Sequence, residues 1–467
     1  RDPEMSRGLG DVYKRQTLKA QAAKDYFLLI GPPGTGKTSR ALRGMVEAFY
    51  REGKEILLLS YTNRAVDEIC KMLTAITPEV NFIRIGNELS CEEAYRPYLI
   101  ENVLETCSTR REVQERMAHC RIFVGTVATL SAKAELFRLK TFDVALIDEA
   151  TQILEPQLLG LLCMRGVTGG NAIGKFVLIG DHKQLPAVVL QSSEQSEVYD
   201  EGLRTIGLCN LKDSLFERFY RNAMKQRSAC CLQPSTGDSQ SSVAGSPFSA
   251  LRSLDILCRQ GRMNVEVAAF PNHAFYGGLL QPVGLEHQTG SLKLSPELST
   301  NEFAALLTRR VAFLPSTPEP PMQSVKMNHS EARIVARLAA AVFQQYVSAN
   351  GCFKASALGI ITPYRSQIAL IKKEIAALDI PALNDVLVDT VERFQGSERD
   401  IIIYSFCVNR AYQLRLLANL TEENGIQIDR KLNVALTRAR KQMFITGVPQ
   451  LLEQNPIYSR LLKYCRL

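Results

Sequence analysis

Residues 26–42 read YFLLIGPPGTGKTSRAL. The apolar run YFLLI has no polar alternation, which suits a parallel β-strand covered on both faces. It ends at a loop of the form G-x-x-x-x-G-K-S/T, and a helix-like segment follows. In such a loop Gly31, Gly34 and Gly36 let backbone N–H groups turn inward and approach phosphate oxygens closely. Gly31, Pro32, Pro33, Gly34, Thr35, Gly36, Lys37 and Thr38 are therefore the expected nucleotide cradle. Lys37 can bridge the β- and γ-phosphates of ATP, Thr38 can hold Mg²⁺, and the following helix adds its positive end.

The same kind of strand recurs along the chain. EILLLS, NFIRIG, RIFVGT, DVALID and KFVLIG form one series with YFLLI, and RVAFL, ALGIIT, VLVDTV, DIIIYSF and QMFITG form a second. Helix-like segments separate them, so two tandem α/β domains with parallel sheets and an ATP cleft between them are predicted. Within the first series, FDVALIDEATQ (142–152) ends a buried strand at Asp148 and Glu149. Carboxylates at the carboxyl end of a strand face the ligand crevice of an open sheet. Asp148 would hold Mg²⁺ and Glu149 would orient or deprotonate the attacking water. A helix-capping pair is the plainer reading, but the neighbouring cradle weighs against it.

Two stretches read as loops: the Ser-rich segment 228–250 and LPSTPEPPMQ, 314–323. Just beyond the first, residues 259–263 read RQGRM. On pattern alone this is a solvated charged turn.

Composition excludes more than it identifies. The chain has 467 residues, 46% hydrophobic and 22% charged, as in ordinary globular proteins. No run approaches the ~18 apolar residues of a membrane span, so no membrane partner is expected. The 12 cysteines are scattered without a C-x-x-C pair, which gives no zinc pattern and suits a reduced, cytoplasmic location. A net charge of +8 permits a polyanionic partner without specifying one.

DVYKRQ (11–16) is what GATGTGTATAAGAGACAG encodes, a string that matches the transposon end used to prepare sequencing libraries. Residues 1–16 are therefore expected to be adapter-derived, with genuine coding from near Thr17. Genomic codons in frame across Asp11–Gln16 would sink that reading.

The remaining motifs carry a family resemblance. DEATQ and FVLIGDHKQLPAVV resemble motifs II and III of superfamily 1 helicases. ILLLSYTNRAVDEI resembles motif Ia, FVGTVATL motif Ic and LGIITPYRSQ motif IV. VDTVERFQGSERDIIIYS and LNVALTRARKQMFITG resemble motifs V and VI. The likeness spans roughly residues 17–465 and points to the branch of the nonsense-mediated-decay RNA helicase and the replication nuclease-helicase, leaning to the latter. It implies two RecA-like P-loop NTPase domains: a first over 17–224, a linker over 225–255 and a second over 256–467.

The resemblance also assigns roles. RQGRM stands where this branch carries Gln-Tyr-Arg-Met, so Arg262 inherits an arginine-finger role with Arg438 as its partner. A planar guanidinium suits the spread charge of a phosphoryl transition state. Gly261 departs from the family, whose tyrosine packs against the adenine base. Gln184 matches the glutamine that senses the γ-phosphate, and Glu398 the acidic residue that contacts the ribose. The nucleotide-reading glutamine would fall in the suspect opening, where Gln16 and Gln21 are poor matches. Thr62, Asn63, Thr126, Thr362, Tyr364 and Thr390 match strand-contacting positions, although a threonine at a strand end also serves as an ordinary helix cap.

The function so implied is an ATP-dependent helicase or translocase moving 5′→3′ on single-stranded or forked DNA. The alternatives are an RNA helicase or ribonucleoprotein remodeller, and a nucleotide-gated clamp that does not unwind. The branch further implies an accessory barrel upstream of the first motor domain, and in some members a nuclease before it.

Overall fold

Apolar runs that must be covered on both faces dictate the architecture. The computed structural model describes residues 3–231, 253–320, 324–423 and 425–466. The chain divides into two compact units, Arg1–His182 with Pro186–Leu257, and Lys183–Leu185 with Cys258–Leu467.

The first unit holds β1 (Tyr26–Ile30), β2 (Ile56–Ser60), β3 (Phe82–Ile85), β4 (Ile122–Thr126), β5 (Phe142–Ile147), β6 (Ile173–Gly180) and β7 (Leu254–Ile256). They form one sheet in the order β3-β4-β2-β5-β6-β1-β7, and every neighbouring pair is parallel. β2 and β4 are buried at every residue. Phe27, Leu29, Leu58 and Val124 pack with Met45, Phe49, Val66 and Ile69 from the helices Arg43–Arg51 and Asn63–Thr74. Burying each such side chain stabilises the fold by about 1.5–3 kcal/mol.

In the second unit, β8 (Arg259–Gln260) pairs with β9 (Gln281–Pro282). β10 (Val311–Pro315), β11 (Leu358–Ile361), β12 (Leu387–Asp389), β13 (Arg399–Ser405) and β16 (Ala439–Gly447) form a parallel sheet in the order β10-β16-β13-β11-β12. β14 (Leu420–Glu423) and β15 (Ile426–Asp429) make an antiparallel pair. Strand alternation divides the sheet's side chains between two cores. Ile360, Ile401, Ile403 and Phe444 meet Val335, Ala339 and Val342 of the helix His329–Asn350. Ile361, Ile402, Met443 and Ile445 meet Phe270, Val434 and Leu461 on the other side.

The α/β expectation holds, with all eleven quoted runs forming strands of these two parallel sheets. Three boundaries are corrected. The helix Leu215–Cys231 runs past the expected linker start at 225; residues 232–252 of that linker lie outside the described residues. The second unit begins at Cys258, not at 256, because Leu254 and Ile256 are buried in β7 against β1. Leu28 N donates to Ser253 O and Leu257 N to Ile30 O, each at 2.8 Å, which closes that sheet edge. The expected loop 314–323 starts later, since Leu314 and Pro315 belong to β10 and residues 321–323 lie outside the described residues. Ordered structure also begins before Thr17, in the helix Pro3–Ala22. There Tyr13 packs beside the first core and Gln16 is buried. Among the described residues no helix is long and apolar enough to cross a membrane.

Candidate nucleotide-hydrolysis site

The cradle is built from its glycines upward. Gly34 and Gly36 both have φ of 72°, a left-handed conformation that glycine adopts without the Cβ penalty. Gly36 leads directly into the helical segment that begins at Lys37. A Cβ on Gly31 would lie 2.0 Å from Lys37 Cγ, so only glycine lets the lysine stem cross the loop. Thr35 Oγ1 donates to Pro32 O at 2.7 Å, and Gly31 N donates to Gly180 O at 2.9 Å, tying the loop to itself and to β6.

β5 delivers the acidic pair to this loop. Thr38 Oγ1 donates to Asp148 Oδ2 at 2.6 Å. Lys37 Nζ is 3.5 Å from Glu149 Oε1. Asp148 is buried, and burial together with the Glu149 charge pushes its carboxyl up, partly offset by Lys37 and the Thr38 hydrogen bond. Glu149 has φ of 52°, a strained conformation for a side-chain-bearing residue and one that clusters at functional sites. Gln152 Nε2 donates to Glu149 Oε2 at 3.1 Å and Ser60 Oγ donates to Asp148 O at 3.2 Å. Neither Gln152 nor Ser60 was assigned a role from sequence, although Gln152 ends the DEATQ motif and Ser60 ends β2.

The second unit carries the arginines. Gln260 Oε1 accepts from Arg262 N at 3.0 Å and Met263 N at 2.8 Å, while Gln260 Nε2 donates to Met263 O at 2.9 Å. Gln288 Nε2 donates to Gln260 O at 2.9 Å, and His287 Nε2 bonds Arg262 O at 2.9 Å. RQGRM is therefore a braced corner rather than a loose surface turn. From it Arg262 Nε reaches Glu398 Oε2 at 2.6 Å and Nη1 donates to Thr437 O at 3.3 Å. Arg438 is buried, with Nε donating to Val434 O at 3.0 Å and Nη1 to Ser397 O at 3.3 Å. Gln184 lies in the short segment that groups with this unit, and its Oε1 accepts from Arg438 Nη2 at 3.3 Å. Glu398 and Arg438 each precede one of the paired residues Arg399 and Ala439, which brings them to one sheet edge.

The expected strand contacts all fall at carboxyl ends of parallel strands. In the first unit Thr62 follows β2 and Thr126 ends β4, on the same edge as the cradle. Both cap helices, since Thr62 Oγ1 accepts from Ala65 N at 3.2 Å and Thr126 Oγ1 from Thr129 N at 3.1 Å. Asn63 opens the helix that Thr62 caps. In the second unit Thr362 and Tyr364 follow β11 and Thr390 follows the adjacent β12, at the opposite edge from Arg438 and Glu398. Thr362 Oγ1 is buried without a hydrogen-bond partner among the described residues. The Tyr364 hydroxyl accepts from Gln413 Nε2 at 3.1 Å.

Comparison with known proteins gives a consistent picture. A profile of the AAA domain matches residues 241–450, and another AAA-domain profile matches 11–121 and 105–192. A DNA replication ATP-dependent helicase/nuclease of Arabidopsis thaliana is 28% identical over 99% of this chain and 30% of its own length. The Homo sapiens protein of the same description is 27% identical, over 98% of this chain and 39% of its own length. An uncharacterized ATP-dependent helicase of Methanocaldococcus jannaschii is 23% identical, over 98% of this chain and 71% of its own length. The chain thus spans well under half the length of the two nuclease-helicases.

Proposed function

We propose that this chain, which belongs to the superfamily 1 helicases and carries their two RecA-like α/β units, is an ATP-driven motor on single-stranded or forked DNA that moves 5′→3′. The observation that carries the ATPase reading is the meeting of Lys37 and Thr38 with Glu149 and Asp148 at the end of β5. A cradle that excludes a Cβ at Gly31, a hydroxyl and a carboxylate 2.6 Å apart, and a lysine beside them form a donor set suited to a nucleoside triphosphate and Mg²⁺. Mg²⁺, held by Thr38 and Asp148, would neutralise charge on the phosphates.

This chain's own groups then divide the work. Loop amides and Lys37 bind and orient the phosphates. Glu149, oriented by Gln152, takes the proton of the attacking water. Arg262 and Arg438 offset charge that develops on the transferred phosphoryl oxygens, and Gln184, bonded to Arg438, reports the γ-phosphate. Hydroxyls at the carboxyl strand edges hold a nucleic-acid backbone without reading its sequence, and Tyr364 stacks on a base. DNA is favoured over RNA by the names of the relatives. An upstream nuclease or accessory module and a cytoplasmic location belong to the same proposal.

The test is steady-state ATP hydrolysis by the full chain, alone and with single-stranded DNA or RNA of matched sequence. Strong stimulation by DNA supports the reading and is followed by a polarity assay on tailed duplexes. Stimulation by RNA alone transfers it to a ribonucleoprotein remodeller. Strand binding without any stimulation transfers it to a clamp.

A further inference from the structure

We propose that Glu398 is a positioning residue that parks the Arg262 side chain, so that ATP must win the guanidinium from this carboxylate before hydrolysis proceeds. The inference rests on the ATPase reading above. The Arg262 backbone is braced by Gln260 and His287, which leaves the side chain as the part free to move. That side chain is engaged on the chain's own acceptors, with Nε on Glu398 Oε2 at 2.6 Å and Nη1 on Thr437 O at 3.3 Å. A guanidinium so held has to leave the carboxylate to serve a phosphoryl group. Phosphate oxygens carry more charge and match the same planar fork, so a bound nucleotide can compete for it.

A second cation shares the clasp. Arg440 Nε lies 3.7 Å from Glu398 Oε1, and Arg440 Nη1 lies 3.6 Å from Asp400 Oδ1. Lys441 Nζ lies 2.9 Å from Asp400 Oδ2. Arg440 thus draws on the carboxylate from the side away from Arg262 and weakens its hold there. The Glu398 side chain is 43% exposed, so the hold is modest and reversible, worth about a two- to fivefold change in population. Its consequence is a strand-free rate of hydrolysis about two- to fivefold below that of a chain whose finger is unclasped, because the carboxylate still competes for the guanidinium while ATP is bound.

The experiment measures strand-free kcat and KM for ATP in the full chain. Glu398→Gln, which keeps shape and removes charge, is expected to raise kcat about two- to fivefold. Arg440→Met, which removes the competing cation, is expected to lower kcat by a similar factor; general destabilisation of the site would lower kcat in both variants, so the pair of opposite signs separates the clasp from it. The Glu398→Gln rise is expected to disappear in an Arg262→Ala background. If Glu398 contacts only the ribose, Glu398→Gln raises KM for ATP, spares 2′-deoxyATP and leaves kcat flat; that result overturns the clasp. So does a rise that persists without Arg262. Failure of the ATPase reading looks different: no hydrolysis by the wild-type chain, and no effect of Arg262→Ala.

Discussion

Thr38 Oγ1 donates to Asp148 Oδ2 at 2.6 Å across 110 residues of sequence. The loop after β1 and the end of β5 are thus one site, and Lys37 joins it through Glu149 at 3.5 Å. Lys37→Ala removes the only side-chain cation of the cradle motif. It is expected to lower kcat for ATP by ~10²–10³, the cost of deleting a preorganised electrostatic group. The strand-contacting candidates lie on other residues, so anisotropy with labelled single-stranded DNA should change by less than about threefold, well under the tenfold of 1.4 kcal/mol. Hydrolysis that survives the substitution rules out the cradle assignment.

Arg262 presents a sharper contrast with its plain reading as a turn. Its backbone is held by Gln260 and its side chain by Glu398, so removal of the guanidinium should leave the fold intact. Arg262→Ala is expected to cut kcat by ~10³, the lower end for an arginine finger. Calorimetry with a non-hydrolysable ATP analogue should show affinity mostly kept. Turnover near that of the wild type returns RQGRM to an ordinary corner.

How legible these features are in sequence follows from where each signal sits. Runs such as ILLLS and IIIYS announce strands because both faces of a parallel sheet are covered, so apolar residues follow one another without polar alternation until the strand's end. β7 gives only Leu254 and Ile256 around a buried aspartate, and nothing in three residues distinguishes it from the Ser-rich stretch that precedes it in sequence. β14 and β15 read LTEE and IQID, half exposed and without an apolar run. The cradle and acidic pair are legible because each is contiguous. The Arg262–Glu398 pair is not, since 136 residues separate its members and they lie beside different sheets, joined where Asn264 N donates to Arg440 O of β16 at 2.7 Å. The candidate strand-contacting threonines are equally silent, because a threonine at a strand end is used for capping at Thr62 and Thr126 whatever else it touches.

Gly261 marks a departure from the family that can be reversed. A Cβ built there meets Val283 Cγ2 at 3.4 Å and Leu285 Cδ1 at 3.6 Å, and the residue is absent from the left-handed region. A Cβ is therefore admitted at ordinary contact distance. Gly261→Tyr is expected to add an aromatic face for the base and to lower KM for ATP about three- to tenfold, as expected for one aromatic stack. Steady-state kinetics with ATP and with a base-free triphosphate check this. A gain for both substrates, or for neither, means that the tyrosine does not meet the base.

Glu331 supplies a pH dependence that none of the nucleotide chemistry requires. It is fully buried in the helix His329–Asn350 and accepts from Ser405 Oγ at 2.6 Å and Cys407 N at 2.9 Å. Burial raises its carboxyl from 4.5 to about 7, and the hydrogen bonds from Ser405, Cys407 and Ser316 offset only part of that. A raised carboxyl pKa means that the folded state holds a proton the unfolded state has released. Stability from this residue is therefore fully present below the unfolded value and declines as pH rises toward the folded one, then levels off. The loss between pH 4.5 and 7 is about 3 kcal/mol. Glu331→Gln keeps the volume and cannot ionise, so its stability relative to the wild type should improve steadily over that window. Urea unfolding of both proteins at pH 5, 6, 7 and 8 measures the difference, in which the titration of every other group cancels. A difference that stays constant with pH would mean that Glu331 remains ionised in the folded chain, held by the donors at Ser405 and Cys407 more strongly than burial opposes it.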